Sequence, residues 1–393
     1  SGGFTMTNVV VDQNTNTTAY GGGVNFDSFA ANGTFSIIGS TISGNKTTST
    51  ASVDKNGGGI NLFADQHSVN ITNSTISGNT SAGQGGGVLV RHTNGGAITF
   101  SGTTISGNTA SSRGGGVSNI NLGGSSLAIL NDSAIVNNVS QGTVVSTESR
   151  GGGILIFTGS PTITTTITEV TFAGNQANTG TFQGGGAIGA IAGTVNASFN
   201  RIAGNLAGTG GGSGVHNAGA TINGANNWWG CNAGPGSAPC DRSINTSGTL
   251  TTAPQLTLRH AASPATIVVG QTSTLTADFL QNSTPAAVAV GNLDAMIGTA
   301  HAFNTAVLGT ISAAQTSIQS TGTATATFTG TSAGSGSASS TVDAQSVAAA
   351  ITINKASTTT TITSDLPDPS DINAAVIVSY TVAVNAPGAG TAT

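Results

Sequence analysis

The sequence predicts an all-β chain in which a coil of stacked short strands is followed by a region of sandwich type. Three observations lead to this prediction: a six-letter motif recurs about every thirty residues, a glycine triplet separates successive copies, and apolar residues occupy every second position after the triplets. A repeat of roughly 20–50 residues is typical of solenoids. Apolar alternation with a period of two is typical of strands.

Composition agrees with this fold class and excludes some functions. Charged residues make up 6% of the 393 residues, against roughly 25% in an ordinary soluble domain. The net charge of −5 indicates no particular partner, and the sequence lacks the basic stripe that nucleic-acid binding requires. Abundant Ser, Thr and Asn disfavour helix interiors, whereas the β-branched residues favour strands. No apolar run reaches the ~18 residues of a membrane span, so we expect none.

Each repeat has a constant part and a variable part. The motif ends in an asparagine, which we call the marker asparagine, and its clearest copies end at Asn45, Asn79 and Asn108. From each glycine triplet to the next marker asparagine the chain runs 21 to 24 residues, whereas from there to the next triplet it runs 5 to 13. A path of nearly constant length closed by an adjustable loop predicts one rung of a coil.

Equivalent residues are therefore expected to stack on rungs ~4.8 Å apart. Ile42, Ile76 and Ile105 then form an apolar column, in which each buried side chain contributes on the order of 1.5–3 kcal/mol. The marker asparagines tolerate the left-handed conformation and can hydrogen-bond their own copies in the adjacent rung. The glycines are expected to let neighbouring rungs approach closely. Together the copies predict about seven or eight rungs.

The repeat stops at a segment that carries the only tryptophans and the only cysteines of the chain. Cys231 and Cys240 flank a loop rich in Gly and Pro, which predicts a local disulfide and an oxidising compartment; a pair of reduced thiols is the alternative. A solenoid needs a cap over its open core end. We expect Trp228 and Trp229 to provide it, with an aromatic platform for sugars as the alternative.

The repeat of residues 1–255 resembles the right-handed parallel β-helix repeats of bacterial cell-surface proteins and, more distantly, the pectate-lyase-like superfamily. Residues 226–236 are similar to the closing segment of such surface β-helices. The resemblance implies a right-handed parallel β-helix of about 7–8 rungs with a C-terminal cap.

Residues 256–355 have a different pattern, with several short strands separated by turns, which predicts a β-sandwich. The stretches VVGQTSTLTA and AVLGTIS resemble bacterial Ig-like domains of invasin and adhesin type. Residues 356–393 resemble the opening of a second such domain and are too short for a sandwich of ~100 residues. We therefore expect a fragment of a longer protein, or strand edges that accept a strand from a neighbour.

Candidate ligand-binding residues lie beside the glycine triplets. Arg113 and Arg150 precede triplets in consecutive rungs, Glu148 is close to Arg150 in sequence, and Lys55 lies in an earlier long loop. A basic pair of this kind can bind an acidic glycan. Solvated loop ends are the alternative.

Two sets of acidic residues are further candidates. Asp132 and Glu169 fall at equivalent positions of neighbouring rungs, where stacked carboxylates can share a proton or act as acid and base; solvated turn residues are the alternative. Asp365, Asp368 and Asp371 are candidates for binding calcium, with a solvated Pro-rich turn as the alternative. We assign no catalytic residue and no other cofactor, because no extended acidic or metal-binding cluster is recognisable.

Three functions fit the sequence. The first is an extracellular structural or adhesive surface protein, not an enzyme, with the β-helix displayed on an Ig-like stalk. The second is a self-assembling extracellular filament subunit joined through Ig-like strands, and the third is a polysaccharide lyase or hydrolase. We favour the first, at the bacterial cell surface, with host or matrix glycans or copies of itself as partners. Partner contacts are expected in the longest loops, residues 46–56 and 139–150.

Overall fold

The computed structural model describes most of the chain: residues 3–18, 20–28, 33–49, 57–64, 66–92, 95–121, 123–124, 126–142, 150–160, 162–178, 184–236 and 238–390. The chain divides into two compact units. The first contains residues 1–257, 279–299 and 343–345, and the second contains residues 258–278, 300–342 and 346–393. Two segments from the sandwich-like half of the sequence therefore belong to the first unit.

The first unit is a parallel β-solenoid, as the repeat predicts; its right-handed sense stays a prediction. Each turn carries four strands, which stack on those of the next turn into four walls that we number in chain order from the glycine triplet. Wall one consists of Val24–Ser28, Ile60–Ala64, Val88–His92, Val117–Asn121, Ile154–Thr158 and Ile188–Ala190. Wall two consists of Phe4–Thr7, Thr34–Ile38, Ser68–Thr72, Ile98–Ser101, Leu127–Leu130, Thr164–Thr168 and Thr194–Ser198.

Walls three and four carry the motif and the residues after it. Wall three has seven strands: Val10–Asp12, Thr41–Ser43, Thr75–Ser77, Thr104–Ser106, Ala134–Val136, Thr171–Ala173 and Arg201–Ala203. Wall four has seven short strands: Thr15–Asn16, Lys46–Thr47, Thr80–Ser81, Thr109–Ala110, Val139–Ser140, Gln176–Ala177 and Leu206–Ala207. These counts give about seven turns, within the predicted range.

Four further strand pairings complete the described part of the solenoid. Val215–Asn223 pairs with the last strands of both wall one and wall two, and Ser243–Thr251 pairs in parallel with it. Arg150–Gly151 pairs with Gly184–Gly185. The helical element of the described residues is a 3-10 turn, Val290–Asn292, and no described helix has the length and apolar character to cross a membrane.

The core of the solenoid is built from stacked equivalent side chains. Ile76 pairs in register with Ile42 on one side and Ile105 on the other, and all three are at most 1% exposed. Ile135, Phe172 and Ile202 continue the column. The polar residues of wall three alternate with these and lie outside the core. The spacing of the motif thus produces the column of buried side chains that holds successive turns together.

The marker asparagines form a hydrogen-bonded ladder parallel to this column. Asn79 donates from its backbone N–H and from Nδ2 to Asn108 Oδ1, both at 2.9 Å, and its Nδ2 also donates to the Ile42 carbonyl at 2.9 Å. Asn45 makes the same bonds to Asn79 at 2.9 and 3.0 Å. These side chains are fully buried. A buried donor or acceptor without a hydrogen-bond partner destabilises the fold, and the ladder provides such partners.

The marker asparagines do not use the left-handed conformation that they could tolerate. At the corner between walls three and four the left-handed residue is the one before the marker asparagine, as in Gly44 (φ +61°), Gly78 (φ +63°) and Gly107 (φ +62°). Glycine adopts this conformation at no steric cost. The marker side chain is therefore left to point inward and join the ladder.

The segment after the last turn closes the end of the core. Trp228 and Trp229 are 0% and 1% exposed, and Trp229 packs in the same hydrophobic cluster as Cys231 and Cys240. The two cysteines form the predicted disulfide. Because both indole rings are buried, neither offers a face on which a sugar can stack.

A distant aspartate completes this closing segment. Asp343 Oδ2 accepts hydrogen bonds from Trp228 Nε1 at 2.7 Å and from Arg201 Nε at 3.1 Å. Phe279 packs edge-on against Trp228, with 5.0 Å between the ring centroids. All four residues belong to the first unit. The buried indole N–H thus has an acceptor that the local sequence does not supply.

The second unit contains two four-stranded sheets. The first sheet is antiparallel and has the order Arg259–Ser263, Thr272–Asp278, Thr323–Gly330, Gly309–Ser312. The second has the order Thr266–Val268, Gln345–Asn354, Gly334–Val342, His301–Val307. Leu275 and Phe328 from one sheet and Ile351 and Ile353 from the other share one buried cluster. This arrangement is consistent with a sandwich, and its Ig-like identity stays a prediction.

A hairpin follows the two sheets. Thr358–Leu366 pairs antiparallel with Ile377–Val384. Its large apolar side chains are exposed, including Ile362 (63%) and Tyr380 (63%).

Candidate ligand-binding groove

A groove of about 340 Å³ lies on wall four of the solenoid, in its last three turns. Seven residues line it, namely Gln141, Gln176, Ala177, Asn178, Leu206, Ala207 and Gly208. None of them carries a formal charge. Because the strands of wall four are only two residues long, most of the lining comes from the ends of strands and the residues just after them.

Strand register places these residues in rows along the solenoid axis. Gln176 pairs with Val139 below and with Leu206 above. After each strand the ladder of backbone bonds continues, since the Asn178 N–H donates to the Ser140 carbonyl at 2.8 Å and the Gly208 N–H donates to the Ala177 carbonyl at 3.2 Å. The side chains therefore project from a backbone that is already hydrogen-bonded.

The polar lining consists of three carboxamides. Gln141 and Asn178 are exposed and Gln176 is half-buried; each amide offers both donors and an acceptor. Within the described part of the chain, none of these three side chains forms an intramolecular hydrogen bond. Leu206, 56% exposed, adds an apolar surface beside them. The groove is suited to a ligand that carries hydrogen-bonding groups, has an apolar face and bears no charge.

Arg113, the one candidate ligand-binding residue whose side chain the structure describes, does not line this groove. Arg113 is half-buried, and its carbonyl accepts a hydrogen bond from the Gly85 N–H at 3.0 Å. The Arg150 backbone is in a strand, but its side chain, Glu148 and Lys55 lie outside the described residues. Acidic-glycan binding by these residues stays a prediction.

The acidic pair occupies a different edge of the solenoid. Asp132 (φ +57°) and Glu169 (φ +58°) make the same left-handed corner between walls two and three in successive turns. Glu169 is buried, and its pKa is raised by burial and by the nearby carboxylates of Asp294 and Asp132. Burial and Asp132 likewise raise the pKa of Asp294. Asp294 is thus a third carboxylate near Asp132 and Glu169, and the repeat pattern does not reveal it.

The described residues do not support a metal site. No group of three or more His, Cys, Asp or Glu side chains among them is arranged to hold a metal ion. Asp365 lies in the hairpin strand Thr358–Leu366, paired with Val378, whereas Asp368 and Asp371 follow that strand as exposed residues. Calcium binding by these three aspartates stays a prediction.

Sequence reasoning missed the groove, although a signal for it exists. The positions one and three residues after the marker asparagine hold small or β-branched residues in several early turns, such as Thr80 and Ala82. In later turns Gln176, Asn178 and Leu206 replace them. Larger side chains at these positions after the marker asparagine therefore indicate where the groove forms on wall four.

Comparison with protein-family models and with curated proteins finds no match. Among solved structures, the chain is similar to the Yersinia pseudotuberculosis adhesin InvE, with 27% identity over 28% of this chain and 30% of that chain and a TM-score of 0.20. It is also similar to domains 4 and 5 of the S-layer protein SbsC, with 14% identity over 28% of this chain and 55% of that chain and a TM-score of 0.19. The chain spans less than two thirds of either protein, and these TM-scores do not establish a shared overall fold.

Proposed function

We propose that the protein is an extracellular surface protein with a structural and adhesive role, and that its solenoid binds a ligand through the groove on wall four. The observation that carries this proposal is the groove itself, which has three carboxamides that form no hydrogen bond with the described residues, and an exposed leucine, on one face of the solenoid. Ligand sites typically combine apolar surface with a few placed polar groups.

The proposed function is binding without catalysis. General acid–base catalysis needs a titratable group within hydrogen-bond reach of the reacting atoms. None of the described residues that line the groove has such a group, and the carboxylates of Asp132 and Glu169 lie at the corner between walls two and three rather than on wall four.

Rigidity and compartment support the proposed location. The asparagine ladder ties each turn to the next, and the Cys231–Cys240 disulfide fixes the closing segment. Disulfides persist mainly in oxidising, extracellular settings. In this proposal the two sheets of the second unit are an Ig-like stalk, which displays the solenoid at the bacterial cell surface.

Adhesion of protein-coated beads tests the proposal. Beads carrying the wild-type chain are expected to be retained on surfaces coated with extracellular matrix proteins or polysaccharides. The triple variant Gln141→Ala, Gln176→Ala and Asn178→Ala is expected to lose retention. Asn131→Ala, which changes an exposed asparagine at the corner between walls two and three, is expected to keep it. Retention unaffected by the triple variant, or release of reducing ends from pectin or alginate by the chain, contradicts the proposal.

A second candidate function is a filament subunit, favoured by the exposed apolar hairpin. Ile362, Val378 and Tyr380 are 63%, 49% and 63% exposed. Apolar strand surface of this kind promotes pairing with another chain. If the chain polymerises through it, replacing Ile362 and Tyr380 by Lys will abolish polymers in electron micrographs. Polymers that persist in this variant exclude the hairpin as the contact.

A further inference from the structure

We infer that the groove on wall four takes an uncharged glycan chain, oriented along the solenoid axis across three successive turns. This inference rests on the proposed function and specifies the ligand class of that same groove.

The charge of the lining argues for a neutral ligand. An acidic glycan needs a cation to compensate its desolvation, since burying an unpaired charge is costly. Within the described part of the chain, the side chains of the lining are carboxamide and aliphatic only. Each carboxamide presents a donor and an acceptor side by side, which suits neighbouring hydroxyl groups that are themselves donors and acceptors.

The stacking of the turns argues for a linear ligand along the axis. Gln141, Asn178 and Gly208 occupy equivalent positions in successive turns, so the polar groups of the groove lie in a row with a spacing of ~4.8 Å. In the third turn a glycine replaces the amide, which leaves room for the ligand rather than a third hydrogen-bonding group. A volume of about 340 Å³ is at the small end of ligand sites, roughly 300–1,000 Å³, and fits a short chain segment.

The backbone of wall four argues against an extended peptide. Peptides that add to a sheet use the unpaired backbone groups of an edge strand. Gln176–Ala177 is an internal strand, paired with Val139–Ser140 on one side and with Leu206–Ala207 on the other. Along this strand recognition therefore has to come from side chains, whereas Leu206–Ala207 is the terminal strand of the sheet. Leu206, whose exposed side chain lies beside the amides, offers an apolar surface for the C–H face of a sugar ring.

Direct binding measurements with defined glycans test the inference. Immobilised wild-type chain is titrated with neutral glucan, mannan and galactan oligosaccharides and, separately, with oligogalacturonates and sulfated oligosaccharides. We expect a neutral oligosaccharide to bind. Asn178→Ala and Gln176→Ala should each weaken that binding by about two- to tenfold, which corresponds to the loss of one hydrogen bond. The triple variant Gln141→Ala, Gln176→Ala and Asn178→Ala should show no detectable binding.

Two controls keep the result interpretable. Asn131→Ala removes an exposed amide elsewhere on the solenoid and should bind as wild type does. Because all three groove amides are at least partly exposed, the variants should unfold at the wild-type temperature; Gln176→Glu provides a second, nearly isosteric variant that should also weaken neutral-glycan binding.

The outcomes separate the ligand class from the proposed function. Binding of acidic oligosaccharides alone, lost in the triple variant, leaves the groove as the adhesive site and overturns the neutral ligand class. Retention on matrix protein alone, lost in the triple variant, does the same. Neutral-glycan binding that the triple variant preserves overturns the assignment to the groove.

Discussion

Asn205 donates to Asp241 twice: its Nδ2 lies 2.7 Å and its backbone nitrogen 3.1 Å from the same carboxylate oxygen. In the earlier turns a marker asparagine accepts two hydrogen bonds from the marker asparagine of the turn before it. Asp241 takes the place of that acceptor for Asn205. A ladder of amides, each polarising the next, ends on a carboxylate. Asp241 is buried, and its pKa is raised by burial, although the hydrogen bonds from Asn205 and Ser213 act in the opposite direction.

Asp241→Asn is expected to stabilise the fold at neutral pH. A carboxyl whose pKa is raised on folding contributes stability that is fully present below its unfolded pKa of ~3.9 and is lost as the pH rises through the folded pKa. The amide keeps an acceptor for Asn205 and carries no charge. Thermal unfolding between pH 3 and pH 8 should show an advantage for the variant at pH 7 that shrinks toward pH 3. An advantage that does not change with pH contradicts the prediction.

Asn108→Ala should destabilise the solenoid strongly. Asn108 Oδ1 accepts two bonds from Asn79, and Asn108 Nδ2 donates to the Ile76 carbonyl and to Asn138 Oδ1. Removing the side chain leaves buried partners unsatisfied, at about 1–3 kcal/mol each. Urea unfolding measures the loss, and the control is Asn131→Ala, which removes an exposed asparagine outside the ladder. Equal midpoints for the two variants refute a structural role for the ladder.

Ile76→Ala tests the apolar column. Ile76 is 0% exposed and contacts the equivalent residues of both neighbouring turns. Truncating a buried isoleucine costs roughly 2–5 kcal/mol. Ser77→Ala, which changes the outward neighbour, should stay within about 0.5 kcal/mol of wild type. Thermal and urea unfolding of both variants measure these effects. If Ile76→Ala unfolds at the same midpoint as wild type, the stacked core is contradicted.

Gly86→Ala tests the close approach of neighbouring glycine triplets. A Cβ at Gly86 would overlap the Gly115 carbonyl oxygen of the next turn, whereas the Gly86 N–H already donates to the Gly114 carbonyl at 3.1 Å. Forcing a methyl group into such a contact costs roughly 1–3 kcal/mol. Gly291→Ala is the control, since no atom lies within 4 Å of its added Cβ. The unfolding midpoint should fall for the first variant only.

Glu169→Gln should remove an unfavourable charge. Burial raises the pKa of Glu169, and the carboxylates of Asp294 and Asp132 raise it further. Its contribution to stability is therefore present below its unfolded pKa of ~4.3 and lost as the pH rises through the folded pKa. The variant should unfold at a higher temperature than wild type at pH 7 and at a similar temperature at pH 3. Equal unfolding temperatures across that range contradict the prediction.

The sequence predicted those parts of the fold that recur. Ile42, Ile76 and Ile105 were recognisable because each copy of the motif places an isoleucine at the same phase, and stacking follows from a constant path length. The backbone conformation of the marker asparagine was not predictable, because the pattern does not distinguish which residue of the Gly-Asn pair makes the turn. Position in the motif therefore identified the ladder but not its backbone geometry.

Contacts between distant segments were not predictable from the repeat. Asp343 reaches Trp228 across 115 positions of sequence, and Asp294 approaches Glu169 from a segment without any repeat. The groove was missed for a related reason. Its residues, such as Gln176 and Leu206, are departures from the repeat, and a search for recurrence passes over the positions at which one turn differs from the others.

The direction of the asparagine ladder has a consequence for how the chain can change its length. Every turn offers the next one the same pair of donors and offers the previous one the same acceptor, so a duplicated or deleted turn meets compatible neighbours on both sides. Unequal recombination between copies can therefore lengthen or shorten the rod one whole turn at a time, while the closing segment and its terminal carboxylate remain unaltered.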